Sequence, residues 1–468
     1  MTSLFHTLRA GFPADLSRPA LIEPSVGPLS YEVLLARSGG IAAALGARGL
    51  EAGDRMVVQT GKSVDALLLY IAAIRAGIVY VPLNSGYTRA ELDYFLGDAE
   101  PGLFVDDAEL ARLASAPPAE FAEPALATDD LAAILYTSGT TGRSKGAMLS
   151  QGNLGSNAAT LIREWRFTDV DRLIHALPIF HVHGLFVATH CVLGSGASML
   201  WLPGFDADAI LSALPEASVL MGVPTFYTRL LARAELTPGL CANMRLFVSG
   251  SAPLSAETHR EWEVQTGHRI LERYGMTETG MLSSNPYDGD RRAGSVGLPL
   301  SGVGIRIAAP DRDGVGGIEV KGPNVTRGYW RNAEKTAEAF AGDGWFETGD
   351  LGRFDSDGYL WIVGRAKDLI ISGGFNVYPA EVEAAIEALE GVAEVAVVGA
   401  PHPDFGEGVV AVIVGDAAPD AVSGALREML AAYKRPKLVL VRESLPRNAM
   451  GKIEKAVLRR ELAGVFVE

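Results

Sequence analysis

Cysteine is nearly absent: Cys191 and Cys241 are the two in a chain of 468 residues. Two distant thiols in apolar surroundings build neither a disulfide framework nor a Cys-x-x-Cys metal or redox site. Positive charge is also short. Lys and Arg total 41 against 56 Asp and Glu, a formal charge of −15. Nucleic-acid binding needs clustered cations, so nucleic acid is excluded as a partner. An anionic substrate must then be met by a local basic patch. Long apolar runs are missing as well. The longest near the front, residues 66–74, ends at Arg75, too short for a bilayer core of about 30 Å. Residues 1–19 hold no continuous apolar stretch, so no secretory signal is read there, and they are poor in Arg, which disfavours an organelle-targeting peptide. A cytoplasmic protein with no membrane span is the expectation.

What is present is material for a large core: 48% of residues are hydrophobic and 21% charged, enough for two to four domains. One stretch organises the chain. The apolar run 131–135 reads as a buried strand. It leads into Tyr136, Thr137, Ser138, Gly139, Thr140, Thr141, Gly142, Arg143, Ser144 and Lys145. Glycines let backbone N–H groups turn toward a ligand with no Cβ in the way, and successive N–H groups form an anion-binding concavity. Hydroxyls and a lysine add donors. This is a loop for an oligophosphate, although its glycine spacing and the Gly after Lys145 differ from the P-loop pattern.

Short apolar strands alternate with helices of ten or so residues. Residues 29–50 read as a helix with Ser30 as N-cap; 54–60, 78–82, 173–177, 219–223, 246–248 and 270–273 read as strands, and 65–76, 89–96 and 224–229 as helices. Residues 116–127 form a connector. The alternation predicts a parallel sheet with helices on its faces. Several strands end in polar or Gly-rich turns, where open α/β sheets bind ligands. These are residues 178–184 with His181 and His183, 249–253, and 274–279. The two histidines lack a third ligand nearby, so a pocket wall suits them better than a metal. From Gly294 to Trp361 the texture turns β-rich, with turns expected at 349–352 and 364–368. Beyond Lys367 about a hundred residues hold enough strands and helices for a small α+β domain. That piece carries Pro446, Arg447, Asn448, Ala449, Met450, Gly451 and Lys452 in a polar turn.

These blocks, in this order, resemble the adenylate-forming superfamily of acyl-CoA synthetases, luciferases and peptide-synthetase adenylation domains. The resemblance covers nearly the whole chain. It rests on the phosphate loop, Tyr274 to Glu278, Gly349-Asp350, Gly364-Arg365 with residues 372–376, and the Lys452 turn. Residues 178–186, 221–229 and 284–291 look most like the malonyl-CoA synthetases within it. The resemblance implies an α/β fold. A large multi-layer N-terminal domain, 1–366, has helix-covered, mostly parallel sheets and a small β-rich subdomain. A small mobile α+β C-terminal domain, 367–468, carries the adenylation lysine. It also implies ATP, Mg²⁺ and coenzyme A, with a carboxylate attacking the α-phosphate before the thiol attacks the acyl carbon.

Roles follow from the same resemblance. Thr137 to Gly142 and Lys145 hold the β- and γ-phosphates, Glu278 is the Mg²⁺ ligand, and Thr277 reaches the α-phosphate. Ser251, Ala252 and Pro253 with Glu272, Arg273, Tyr274, Gly275 and Met276 wall the nucleotide. Asp350 binds the ribose hydroxyls, Arg365 the ribose and phosphate, and Lys452 stabilises developing charge. Lys367 is the pivot, where the family often has Asp, and Gly373 and Gly374 leave a passage for the pantetheine arm. Read alone, Glu278 and Thr277 also suit a helix cap, Asp350 suits a turn, and Lys452 suits a solvated surface.

The acid is read from the pocket: His181, Val182, Phe226, Arg229, Ser251, Gly280, Met281 and Ser283. Arg229, three residues after Phe226 on one helix face, would clamp a second carboxylate, with Arg143 and Arg291 as rivals. Malonate, with methylmalonate tolerated, is the expected substrate. Another small or aryl acid, an adenylation domain loading a carrier protein, or a silent nucleotide-binding protein remain open.

Overall fold

The computed structural model describes residues 3–137, 144–447 and 452–466. The chain divides into two compact units, residues 1–305 with 320–346 and residues 306–319 with 347–468.

The first unit contains a nine-stranded sheet. Its central strands Leu271–Met276, Leu246–Ser249, Val219–Gly222, Arg172–His175, Ser198–Trp201 and Pro19–Glu23 are parallel to their neighbours. Antiparallel strands close both ends. A second sheet of five strands aligns Leu103–Val105, Arg55–Val58, Val79–Pro82 and Leu131–Thr137 in parallel and ends in the antiparallel Lys145–Ser150. Parallel strands buried on both faces need apolar runs and helical crossovers. The helix Val64–Ala76 is such a crossover and is buried almost all round. Ser63 caps its start and Gly77, at φ 72°, ends it. Ser30 accepts from the Val33 N–H to start Tyr31–Ala47, as its sequence predicts.

In the second unit, one sheet runs Gly304–Ala308, Gly316–Lys321, Phe346–Phe354 and Leu360–Arg365. The other pairs Val392–His402 with Gly406–Gly415 over ten positions. Alternate residues of this pair bury opposite faces: Val397, Val409 and Ile413 in one apolar cluster, Ala396, Val398 and Val412 in another. That gives the C-terminal piece a core of its own. Two expectations are corrected here. Gly349 and Asp350 sit within the strand Phe346–Phe354 instead of a turn, and only the 3₁₀ turn Ala366–Asp368 follows Arg365. Residues 183–193 are helical, beginning as a π-turn at His183.

Candidate active site

The phosphate loop is the connection of a β-hairpin. Thr137 pairs with Lys145, and the Thr137 hydroxyl donates toward the Lys145 carbonyl at 3.5 Å. Ser138, Gly139, Thr140, Thr141, Gly142 and Arg143 lie outside the described residues. Both stems are fastened to the helix Arg89–Ala99. Tyr136 donates to Asp98 at 2.6 Å and Tyr94 to the Ser144 carbonyl at 2.7 Å.

One aromatic joins this hairpin to the other sheet. Tyr329 pairs with Ala147 across an isolated bridge. Lys145 Nζ lies 5.0 Å over its ring, and its hydroxyl donates to Glu278 Oε1 at 3.1 Å. Thr326 N–H also donates to the Glu278 carbonyl at 2.7 Å. Glu278 is 5% exposed, at the tip between the antiparallel strands Leu271–Met276 and Gly280–Ser284. No helix begins there, so the cap reading of Thr277 and Glu278 falls. A single hard carboxylate beside the phosphate-loop lysine fits magnesium, which keeps waters and substrate phosphates as its other ligands. Tyr329 carried no signal in the sequence beyond being one aromatic among many.

The acid side is built from the turns after parallel strands, which all open along one sheet edge. Ser251 has φ 72°, a left-handed conformation that costs a serine about 1–3 kcal/mol and marks functional sites. Its hydroxyl meets His183 Nδ1 at 3.3 Å. His183 Nε2 is buried with no partner among the described residues, and burial holds the ring well below the usual histidine range. His181 is half-buried, and Val182 is buried. Gly280, at φ 58°, lies against Asn157, where an added Cβ would sit 2.7 Å from Oδ1. Asn157 brackets the Met281 N–H and carbonyl at 3.1 and 3.0 Å.

Glu272 and Arg273, read above as part of the nucleotide wall, lie in the strand Leu271–Met276. Both are buried, at 4% and 3% exposure. Arg273 Nε and Nη2 have no hydrogen-bond partner among the described residues, nor has Glu272 Oε2. A Cβ added to Gly250 would land 2.5 Å from the Arg273 guanidinium carbon. The guanidinium therefore packs directly against the turn that carries Ser251. Burial pushes the Glu272 carboxyl up to about 8 and the Arg273 guanidinium down to about 10. At neutral pH the acid is protonated and Arg273 keeps a charge with no counter-ion. Two charged residues in one buried strand were the available signal, but the nucleotide-wall reading absorbed them.

The arginines named for the clamp fare differently. Arg229 is exposed and lies 5.4 Å over Phe205, which packs on Phe226 at 4.6 Å. Arg291 donates to the carbonyls of Arg269 at 2.7 Å, Tyr287 at 2.9 Å and Pro286 at 3.3 Å. That makes it a brace for its own loop. Ser283 is buried and donates to the Val296 carbonyl at 2.9 Å. In the second unit, Asp350 is 5% exposed and faces Arg365 across the paired strands, Nε to Oδ1 at 3.1 Å. Lys367 is exposed in the 3₁₀ turn, beside Asp368, which Arg459 holds at 2.7 Å. Gly373 and Gly374 have φ 60° and 81°. Lys452 is exposed, one residue before Ile453, which bridges Arg447. Among the described residues no helix is long and apolar enough to cross a membrane.

Comparison with known proteins matches residues 14–330 to the AMP-binding enzyme family and residues 381–452 to the AMP-binding enzyme C-terminal domain. The chain is 36% identical to a malonate–CoA ligase of Arabidopsis thaliana, over 88% of this chain and 78% of that protein. It is equally, 36%, identical to a feruloyl-CoA synthase of an Amycolatopsis species, over 92% and 94%. An ATP-bound crystal structure of MatB from Rhodopseudomonas palustris superposes with TM-score 0.95, at 51% identity and 99% coverage of both chains.

Proposed function

We propose, for a chain that belongs to the AMP-binding enzyme family, that it ligates malonate to coenzyme A, tolerating methylmalonate. An acyl-adenylate is the intermediate, and AMP and pyrophosphate are released. AMP-forming acid–thiol ligation is the coarser statement, supported by CoA ligases among the relatives; malonate is the finer reading.

The observation that carries malonate is Arg273. A buried guanidinium with two unpartnered N–H donors and a neutral neighbouring acid is costly unless a carboxylate joins it. A dicarboxylic acid supplies one, with a planar match to the guanidinium fork. Ser251 and His183 stand at the same turn. The reacting carboxylate is ionised and needs no base, so His181 and His183 orient it. Thr137 to Lys145 hold the β- and γ-phosphates. Thr277 meets the α-phosphate, and Asp350 and Arg365 the ribose. Glu278 holds magnesium, which when bound neutralises the phosphates. Lys452 stabilises charge developing at the α-phosphate; one such donor is worth about 10²–10³ in rate. We place the pivot between halves of the reaction at Lys367, with the mobile domain 367–468 and the pantetheine passage at Gly373 and Gly374.

Pyrophosphate release from ATP and magnesium tests this, over malonate, methylmalonate, acetate, propionate and coumarate, with and without coenzyme A. Malonate should be fastest and should give its thioester. Coumarate outrunning malonate would favour the aryl-acid reading that the feruloyl-CoA synthase relative supports. Adenylate formed without transfer to coenzyme A would favour carrier loading. ADP as product would overturn the adenylate altogether.

A further inference from the structure

A cavity of about 270 Å³ lies beyond the ends of the strands Arg55–Val58 and Val79–Pro82 of one sheet and Arg172–His175 and Ser198–Trp201 of the other. Among the described residues assigned above to acid or nucleotide, Phe226 alone lines it. Its polar groups are few: the Lys62 ammonium and the hydroxyls of Thr60, Ser85 and Tyr80. Its apolar walls include Phe180, Phe205 and Phe226.

Lys62 is half-buried and has no carboxylate partner among the described residues. Its ammonium meets His175 Nδ1 at 3.0 Å, donates to the His175 carbonyl at 2.7 Å and lies 4.3 Å over the Trp201 ring. Those neighbours bring no negative charge: burial holds His175 well below the usual histidine range, and burial likewise pushes the Lys62 ammonium well below the usual lysine range, so an anion on its remaining donor would favour the charged form. An ammonium has three N–H donors, and two are engaged. A lysine that served only to brace His175 would need no cavity beside it. The space equals about nine waters at about 30 Å³ each, room for a single-ring molecule. Walls that are mostly apolar, with Tyr80, Phe180, Phe205 and Phe226 as their aromatic part, and one cation set the complement: a compact apolar body with one negative end. Phosphate would find a single cation here.

We propose that this cavity is a second carboxylate site, which takes a small aromatic or branched monocarboxylic acid with its acid group on Lys62. It is separate from the place where the acid is activated.

Calorimetric titration of the full chain with sodium benzoate tests it. One benzoate should bind per chain. Lys62→Met should weaken binding at least about tenfold, the loss of a charged hydrogen bond, whereas Lys62→Arg should hold it within about threefold. Benzoate should release no pyrophosphate from ATP. Unchanged binding in Lys62→Met overturns the site, and so does inorganic phosphate binding as tightly as benzoate. Pyrophosphate release from benzoate that Lys62→Met abolishes would make the cavity the acid pocket and also overturn it; malonate turnover, measured separately, reports on the proposed function. Should Lys62→Met fail to fold, Thr60→Val with Ser85→Ala carries the comparison, and binding unaffected by both changes counts against the proposal.

Discussion

At the scale of single residues, one buried pair, Glu272 and Arg273, sets the expectations for the site. Arg273 has two orphaned donors and lies against the Ser251 turn. Removing it should leave the distal carboxylate of malonate unpaired. Arg273→Met is expected to raise the KM for malonate about a hundredfold, about 3 kcal/mol for one partner of a buried charge pair. The KM for ATP should stay within about threefold. Arg229→Ala, at an exposed stacked arginine, should change either by less than that; steady-state kinetics with both substrates check the pair. A large malonate effect at Arg229 alone would return the clamp to the helix, where the sequence placed it. Glu272 gives a second prediction. Its carboxyl keeps a proton in the folded chain up to about pH 8, against an ordinary value of 4.5 once unfolded. Folding takes up a proton between these values. Stability is therefore full below the lower value and falls as pH rises toward the upper, by about 1.4 kcal/mol per unit. Glu272→Gln should flatten the melting-temperature profile between about pH 5 and about pH 8; parallel profiles would mean that the acid is ionised in the fold.

At the scale of elements, turns at strand ends do the positioning, and their backbone leaves little slack. Gly250→Ala would put a Cβ 2.5 Å from the Arg273 guanidinium. We expect it to displace that group and raise the KM for malonate while leaving ATP binding unaffected, as equilibrium titration with ATP would show. The tip of the Leu271–Met276 and Gly280–Ser284 hairpin holds Glu278 through Tyr329 and Thr326. Glu278→Gln keeps the shape and removes the charge. The magnesium concentration for half-maximal pyrophosphate release should rise about tenfold, the loss of one charged ligand; an unchanged magnesium curve would remove Glu278 from the metal. The helix Tyr31–Ala47 was legible because capping is local: Ser30 acts within a few residues of itself. The π-turn at His183 was not, because its wider turn breaks the period that reveals a helix. Gly349 and Asp350 looked like a turn for the opposite reason: glycine and aspartate signal turns locally, and pairing across a sheet overrode them.

At the scale of the whole molecule, two compact units divide the residues proposed for the chemistry, with Lys145, Glu278 and Arg273 in the first and Asp350, Lys367 and Lys452 in the second. Lys367 sits in a short 3₁₀ turn, and a pivot must change φ and ψ there. Proline fixes φ. Lys367→Pro is therefore expected to spare malonate-dependent pyrophosphate exchange and to abolish thioester formation; equal loss of both would remove the pivot. The sequence alone determined the fold class, the order of the motifs and the use of ATP, because each rests on residues near one another in the chain or on a motif order that covers it. Tertiary structure decided which cations are left unpaired. Arg291 spends its donors on three carbonyls and Arg229 lies out on an aromatic, while Arg273 is buried with donors to spare. That distinction depends on burial and on partners far away in sequence, so no local pattern of residues could carry it.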